Sequence, residues 1–351
     1  MQNGIKEFGS QFECAVVSGE KPWVPAAGTA YLRSGRECLY HIGQIGLQQG
    51  ICRVLMPALC CPAMVQPFLE LGCTVVYYPL GEDLTVDFTA LEAALTDNSL
   101  LLVMHYYGRR GTSLSRLKTL LQNRKNVLTV QDCTQNALTP ELYDSGMDYH
   151  IASLRKWLPI ADGAIIHSAA RPLPSLEYTA DGFAEKWFDA MGLKTEYLAT
   201  GLTDKKDTYR KLFAECTASL RSRVVMNAMS PISRRLYAAV DIEEVRVKRR
   251  ANFKALLDIL QTERPELVRY CMDQTCPLCL PIVVEDQEAV QRALTQRNVY
   301  CQVLWPLPEG GAAACENSRW FATHMLAVPC DQRYSVEDMR YIAECICDVT
   351  A

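Results

Sequence analysis

Short apolar runs alternate with segments of helical periodicity through the first part of the chain. The runs are four to six residues long and rich in Val, Leu and Tyr, as is typical of buried strands. They cover residues 53–56, 73–78, 100–104 and 127–130. The segments with helical spacing are 64–71, one that begins near residue 84, and 114–122. Strands that alternate with helices indicate βαβ units, so we predict an α/β fold with a mostly parallel sheet.

From Asp241 onward the pattern changes. A long helical segment at 242–260 comes first, and the elements after it follow a different order. We predict strands at 280–284, 299–304 and 325–328, and helices at 285–297 and 335–347. This order is typical of a separate α+β layer. The chain is therefore divided into an N-terminal arm (1–30), a large domain (31–240) and a small C-terminal domain (241–351).

Composition and charge exclude several classes of partner. The chain has 351 residues, of which 49% are hydrophobic and 22% charged, with a net charge of −4. It lacks the basic excess that nucleic-acid binding needs, and no apolar run reaches the roughly 18 residues of a membrane helix. The first residues lack the basic start and apolar core of a secretory signal. We therefore expect a cytoplasmic protein that binds neither nucleic acid nor a membrane.

Sixteen cysteines are scattered along the chain, several of them inside apolar runs. In a large chain without an export signal, we expect them to be reduced and to pack as small hydrophobic side chains. The one Cys-x-x-Cys pair, Cys276 and Cys279, has no second pair at the spacing of a zinc site. We therefore predict no metal site.

The candidate chemistry is concentrated between residues 126 and 168. Asp132 and Gln135 follow the apolar run 127–130, and Ser153 and Lys156 follow a second acid. An acid at a strand end and a lysine 24 residues later are the groups needed to bind a protonated heteroaromatic ring that carries an aldehyde. The lysine amine would bind an aldehyde carbon covalently, and the carboxylate would keep the ring nitrogen protonated. Either residue alone is more often a strand cap or a surface lysine.

A second signal lies upstream, where Ser34 is a good N-cap for a segment with helical spacing. Gly35 allows close approach of the backbone to a ligand, and the free N–H groups of a helix start attract phosphate. Taken alone, this pattern is simply a capped helix. Its position relative to the strand ends matters more, because ligands of parallel sheets bind at the carboxyl edge. Residues 58–61, 105–108 and 132–135 all follow predicted strands at that edge.

These motifs resemble the fold-type I pyridoxal-phosphate enzymes, and within them the DegT/DnrJ/EryC1/StrS group of sugar aminotransferases. That group has an acid-Asp-x-Ala-Gln/His stretch, then Ser-x-x-Lys, then a Gly-rich turn. Here residues 131–135 are Gln-Asp-Cys-Thr-Gln, 153–156 are Ser-Leu-Arg-Lys, and 162–163 are Asp-Gly. The resemblance implies a mostly parallel seven-stranded sheet in the large domain, a smaller C-terminal α+β domain, and pyridoxal 5′-phosphate as the cofactor.

The resemblance also implies a role for each matching residue. Lys156 would be the catalytic residue, Asp132 would pair with the pyridine nitrogen, and Gln135 would face the ring hydroxyl. The residues that would bind the phosphate are Gly35, Arg36 and Ser153.

One departure from the group affects the ring. The group often has an aromatic residue after the strand that corresponds to 53–56, whereas residues 58–62 here are Ala-Leu-Cys-Cys-Pro. The residues left to contact the ring are Leu59, Cys60, Cys61, or the loop 105–108 with His105.

The function that the resemblance implies is transfer of an amino group from an amino acid to a keto sugar, which we expect to be nucleotide-linked. A dehydratase of the same group is a rival, but it usually has histidine where this chain has Lys156. A non-catalytic protein of this fold, acting as a sensor or binding partner, stays open because the loops at 58–62 and 221–233 are atypical. The resemblance also implies a homodimer, and residues 219–233, which have no evident partner in their own domain, support that expectation.

Overall fold

A computed structural model describes residues 5–14, 21–108, 113–139, 145–271, 276–308 and 315–351, so residues 1–4 and 15–20 of the predicted arm lie outside the described residues. The strands are β1 Phe8–Gly9, β2 Thr29–Leu32, β3 Arg53–Pro57, β4 Thr74–Tyr78, β5 Ser99–Met104, β6 Val127–Asp132, β7 Tyr149–Ser153, β8 Ala164–His167, β9 Leu280–Val283, β10 Val299–Tyr300 and β11 Met325–Val328. The α-helices are α1 Gly35–Gln48, α2 Pro62–Glu70, α3 Phe88–Ala94, α4 Leu114–Gln122, α5 Phe183–Thr200, α6 Thr203–Arg221, α7 Pro231–Ala239, α8 Ile242–Glu263, α9 Gln287–Gln296, α10 Glu316–His324 and α11 Val336–Val349. None of the helices within these ranges is long and apolar enough to span a membrane.

Seven strands form the central sheet in the order β2-β8-β7-β6-β5-β3-β4. The pairs from β4 to β7 are parallel, whereas β8 is antiparallel to both β7 and β2. All of β5 is buried: Leu100 and Leu102 pack in the core beneath α1 and α2, and Leu101 and Val103 in the core beneath α3 and α4. This two-sided burial is characteristic of parallel sheets. The predicted α/β fold with a mostly parallel seven-stranded sheet is confirmed.

Some elements differ from the sequence prediction. The strand β7 was not predicted, because Tyr-His-Ile-Ala-Ser contains no continuous apolar run. The strand expected at 299–304 ends after Tyr300, apart from a bridge between Gln302 and Ala327. Helices α7 and α10 were also missed. For α7 a local signal was present, since Ser230 caps the helix and Pro231 begins it.

The C-terminal elements form a second layer. Strand β9 is antiparallel to β11, and the helices α8, α9 and α11 pack against them. The core of this layer contains Leu256, Ile282, Leu326 and Ile342, which are all fully buried. The domain boundaries at 30 and 240 stay predictions.

Residues 5–14 pack between two parts of their own chain. Strand β1 is parallel to β10, and Phe8 is buried in the core of the C-terminal layer. On the other side, the fully buried Lys194 of α5 donates to Ser10 Oγ at 3.0 Å and to the carbonyl oxygen of Gln11 at 2.5 Å. This segment therefore joins α5 of the large domain to the C-terminal layer.

The prediction that residues 219–233 lack a partner in their own domain is wrong. The Arg33 N–H donates to the carbonyl oxygen of Asn227 at 3.1 Å, and the side chain of Asn227 bonds to both backbone groups of Thr179. Ser230 Oγ donates to Asp162 Oδ1 at 2.7 Å. These contacts fix the segment against the strand that precedes α1 and the turn that follows Lys156.

Arg249 of α8 joins the two layers. Its guanidinium stacks over the ring of Trp157 at 4.6 Å and donates to the carbonyl oxygens of Pro277, Leu278 and Trp157, and to Gln332 Oε1. Both Arg249 and Trp157 are almost fully buried. A buried guanidinium is stable only when its donors are satisfied, as they are here.

Replacing Arg249 by Met keeps the volume but removes the donor to the carbonyl oxygens of Pro277 and Leu278 and to Gln332 Oε1. We expect the free energy of unfolding to fall by about 2 to 4 kcal/mol, measured by urea denaturation. Arg250→Met is the matched control, because Arg250 is exposed on the same helix and its replacement should change the free energy by less than about 0.5 kcal/mol. Equal losses in the two variants would contradict the role given to Arg249.

Candidate functional site

Two adjoining cavities lie at the carboxyl edge of the central sheet. The inner cavity has a volume of about 190 Å³ and the outer one about 280 Å³. The residues that line both are Cys61, Gln135, Arg155, Lys156 and Trp305. These five residues therefore mark the passage from one cavity to the other.

The floor of the inner cavity is formed by three adjacent strands. Met104 and Asp132 end β5 and β6 and are register partners, Asp132 is also the partner of Ile151 in the middle of β7, and all three residues line the cavity. Asp132 Oδ1 accepts a hydrogen bond from the N–H of Thr134 at 2.7 Å. Burial raises the pKa of Asp132 above its usual value, while the bonds to Thr134 and the charge of Lys156 oppose that rise. The site thus holds a buried carboxyl at a sheet edge.

One wall of the inner cavity is the start of α1. Ser34, Gly35 and Arg36 line it, and Glu37 Oε2 accepts from the Ser34 N–H at 2.5 Å, which fixes the first turn. The N–H groups of Gly35 and Arg36 belong to the first turn of the helix, where no intrahelical acceptor exists. A Cβ added at Gly35 would meet nothing within 4 Å, so this part of the wall faces open space. The geometry is that of an anion site at a helix N-terminus.

Gln135 stands between the two cavities. Its Oε1 accepts from the N–H of Tyr107, a residue held in the left-handed region with φ of 54°. Its Nε2 is buried and has no hydrogen-bond partner among the described residues. The Tyr107 hydroxyl donates to the carbonyl oxygen of Leu304 at 3.1 Å, and this bond positions the segment that contains Trp305. The amide of Gln135 is therefore oriented with two N–H donors left for a ligand.

The lysine is placed by the residues around it. A 3₁₀ turn, Leu154–Lys156, follows β7, and the N–H of Ser153 at the end of that strand donates to Thr134 Oγ1 at 3.1 Å. Trp157 Nε1 donates to the carbonyl oxygen of Thr134 at 2.7 Å. Lys156 itself is exposed, lines both cavities, and has no hydrogen bond or ion pair within the described part of the chain. The turn after Asp132 and the turn containing Lys156 are thus tied together.

The outer cavity is built from three separate parts of the chain. Gly9 to Phe12 form one side, and the C-terminal layer contributes Tyr300, Gln302 and Arg333. Arg333 donates to Asp331 and to Glu13 Oε2, so its charge is balanced. These ion pairs lower the pKa of Asp331 and of Glu13. The outer cavity is polar and aromatic and opens between the large domain and the C-terminal layer.

The structure brings most of the predicted site residues together. Those that line the inner cavity are Gly35, Arg36, Cys61, Asp132, Gln135, Ser153 and Lys156. Cys60 and His105 are buried outside its lining, and their neighbours Cys61 and Met104 line it instead. The roles assigned to all these residues stay predictions.

Sequence reasoning missed two residues of the site. Trp305 is buried and places an aromatic side chain on the lining of both cavities. No local signal could have found it, because it comes from a loop of the C-terminal layer. Arg155 lies inside the Ser-x-x-Lys motif, and its position directly before Lys156 is the signal that could have identified it as a site residue.

No protein-family model matches the chain, and no curated protein matches it either. Solved structures do match. One is NtdA from Bacillus subtilis with bound cofactor PMP, with 16% identity and a TM-score of 0.65; the match covers 92% of this chain and 73% of that one. Another is the sugar aminotransferase CalS13 from Micromonospora echinospora, with 14% identity and a TM-score of 0.63; the match covers 91% of this chain and 87% of that one. A third is a DegT DnrJ EryC1 StrS aminotransferase from Brucella abortus, with 12% identity and a TM-score of 0.62; the match covers 92% of this chain and 86% of that one.

The chain has the fold of the fold-type I pyridoxal-phosphate-dependent enzymes. The resemblance to the DegT/DnrJ/EryC1/StrS group is confirmed at the level of the fold, over nearly the whole chain.

The raised pKa of Asp132 leads to a prediction about stability. Above its folded pKa, the ionised carboxylate is disfavoured by burial, and Asn can still accept from the Thr134 N–H. In the cofactor-free chain, Asp132→Asn should therefore raise the free energy of unfolding by about 1 kcal/mol near pH 8, and the gain should disappear near pH 4 as the wild-type carboxyl is protonated. Asp258→Asn, at an exposed position on α8, should show no such gain. Urea unfolding at both pH values tests this; a gain that does not depend on pH would contradict it.

Proposed function

We propose that this protein is a cytoplasmic, pyridoxal-phosphate-dependent aminotransferase that transfers an amino group from an amino acid to a nucleotide-linked keto sugar. The observation that supports it best is the arrangement around the inner cavity. A buried acid lines one space of about 190 Å³ together with an amide and a lysine whose N–H donors have no hydrogen-bond partner in the part of the chain that the structure describes. The sixteen cysteines are all free thiols, as expected in a reducing compartment.

The residues present fit the cofactor. Gln135 Nε2 and Arg36 Nε are buried donors without a partner in the described chain, and both residues line the inner cavity. A ligand with a ring oxygen and a phosphate would satisfy both, because buried polar groups are normally hydrogen-bonded. Gly35 faces open space beside them. In this proposal, Gly35, Arg36 and Ser153 hold the phosphate, Asp132 the ring nitrogen and Gln135 the ring hydroxyl.

The bound cofactor supplies an electron sink for the negative charge that develops at the substrate carbon. Asp132 would keep a proton on the ring nitrogen, and the charge of Lys156 favours the carboxylate form that this needs. Lys156 Nζ would hold the cofactor and, when free, would be the base that takes the proton from the carbon bearing the amino group. Trp305, at the passage between the cavities, would cover the cofactor and exclude water.

The lining of the outer cavity supports a sugar substrate. Phe12, Tyr300 and Trp305 offer flat apolar faces for a sugar ring, and Gln11 and Gln302 offer amides for its hydroxyl groups. Arg221, exposed at the end of α6, lines the inner cavity and is suited to a diphosphate.

The assignment of Lys156 is tested with the cofactor itself. Wild-type protein mixed with pyridoxal phosphate should show a visible absorbance band, and borohydride should fix the cofactor on the peptide that contains Lys156. Lys156→Ala should lose both signals and, because the nucleophile is gone, lower turnover by about a thousandfold or more. Lys254→Ala is the control, since that lysine is exposed on α8. A band that survives in Lys156→Ala would sink the assignment.

We further propose that the active unit is a homodimer. Leu69 of α2 and Val225 have exposed fractions of 58% and 59%, and their segments are joined because the Val224 N–H donates to Glu70 Oε2 at 2.9 Å. This surface lies next to the inner cavity, since Arg36 Nη2 donates to the carbonyl oxygen of Ser222. A second copy would cover these apolar side chains and close that side of the cavity.

Sedimentation of the cofactor-loaded protein at micromolar concentration tests the dimer. We expect a species of about twice the chain mass of 39.4 kDa, with a buried interface above about 2,000 Å². The double variant Leu69→Glu, Val225→Glu should dissociate, whereas Val247→Glu on α8, also at an exposed position, should not. A fully active species with the mass of one chain would contradict the proposal.

A further inference from the structure

Arg155, like Lys156, is a cation of the cleft without an acceptor or counter-charge among the described residues. The guanidinium of Arg155 has no hydrogen bond or ion pair there, and its Nε is out of contact with solvent. It lies over the ring of Trp187, whose centroid is 5.3 Å from the guanidinium carbon. Burial lowers the pKa of Arg155, and only more distant groups such as Cys61, Asp162 and Glu37 oppose that shift. A buried guanidinium without a counter-charge lowers the stability of the folded protein unless a ligand supplies that charge.

The support beneath Arg155 is rigid. Trp187 is buried in α5 and packs edge-on against Phe213 of α6, with ring centroids 4.9 Å apart. The Arg155 N–H donates to the carbonyl oxygen of Gly163 at 3.3 Å, so the backbone is held as well. The guanidinium is therefore positioned by packing, while its five N–H donors are left for another molecule.

The other arginines of the outer cavity are already satisfied. Arg333 is paired with Asp331 and Glu13, and Arg249 donates to four oxygen atoms of its own chain. Arg155 is thus the arginine on the outer-cavity lining that remains available to a substrate anion, among the residues that the structure describes. It lies next to Lys156, where the proposed reaction takes place.

We propose that Arg155 binds the carboxylate of the amino-acid donor and so selects donors that have one. The proposal rests on the function proposed above. In an α-amino acid the carboxylate is bonded to the carbon that bears the reacting amine, so its binding group must stand beside Lys156. The planar guanidinium matches a carboxylate with two parallel hydrogen bonds. Ser34, Gly35, Arg36 and Ser153 line only the inner cavity, whereas Arg155 also lines the outer one, from which the donor enters.

The guanidinium of Arg155, with its parallel N–H donors, could also bind the cofactor phosphate. The test therefore distinguishes the donor carboxylate from the cofactor phosphate as the anion that Arg155 binds. The variants are Arg155→Gln, Arg155→Lys and, as a control, Arg340→Gln at an exposed position on α11. Because the side chain of Arg155 makes no hydrogen bond to any described residue, Arg155→Gln should fold as stably as the wild type, which urea unfolding checks.

The first arm uses glutarate, a dicarboxylate without an amine. Cofactor-loaded protein is titrated at constant ionic strength and followed by tryptophan fluorescence and by the visible band. We expect saturable binding by the wild type, a half-saturation raised by about tenfold or more in Arg155→Gln, an intermediate value in Arg155→Lys, and no change in Arg340→Gln. An unchanged half-saturation in Arg155→Gln, or no saturable binding by the wild type, would overturn the proposal.

The second arm measures the affinity of cofactor-free protein for pyridoxal phosphate and for pyridoxal, which lacks the phosphate. We expect Arg155→Gln to bind both as the wild type does. Loss of affinity for pyridoxal phosphate alone would assign the guanidinium to the cofactor and overturn the donor assignment. The proposed function fails separately, if no amino acid changes the visible band of the loaded wild type.

Discussion

The stack of Arg249 on Trp157 is the contact on which the site depends. Trp157 follows Lys156 directly, and its indole N–H holds the carbonyl oxygen of Thr134 in the turn after Asp132. Its own carbonyl oxygen accepts from Arg249 and from Gln332 Nε2 at 2.7 Å. One buried ring therefore fixes the lysine, the acid and the C-terminal layer relative to one another. A rigid connection of this kind is needed because reacting groups must be positioned to within a fraction of an ångström.

Two kinds of buried polar group line the cavities. The side chains of Arg249 and Asp331 have hydrogen bonds within the chain. Gln135 Nε2 and the Nε of Arg155, by contrast, have none among the described residues. Buried polar groups without partners lower stability and persist where a ligand satisfies them. The donors of Gln135 and Arg155 are therefore available to a ligand, at some loss of stability in the free protein.

The N-terminal segment, residues 5–14, forms part of the cleft although it is far in sequence from the other residues that line it. It is held on one side by β10 and on the other by Lys194, whose charge lies 3.3 Å from Glu13. Gly9 to Phe12 then form a wall of the outer cavity opposite the large domain. A substrate in this cavity would contact three regions of the chain at once, and release of the segment would open it to water. The segment therefore couples the closure of the site to the packing of the two layers.

The sequence by itself determined the alternation of strands and helices in the first part of the chain, and with it the sheet edge where Asp132 and Gln135 lie. These features depend on local periodicity and on the rule that parallel strands end on one side, so they can be read from neighbouring residues. Ser153 and Lys156 follow β7, a strand that the sequence did not predict. Only the tertiary structure decided that Trp305 lines the cavity, that His105 and Cys60 lie outside its lining, and that residues 219–233 pack on their own domain. It alone showed that the guanidinium of Arg155 has no hydrogen bond or ion pair among the described residues, while Arg249 and Arg333 have theirs. The physical reason is that partners, burial and cavities arise from contacts between residues far apart in the chain, which no local pattern records.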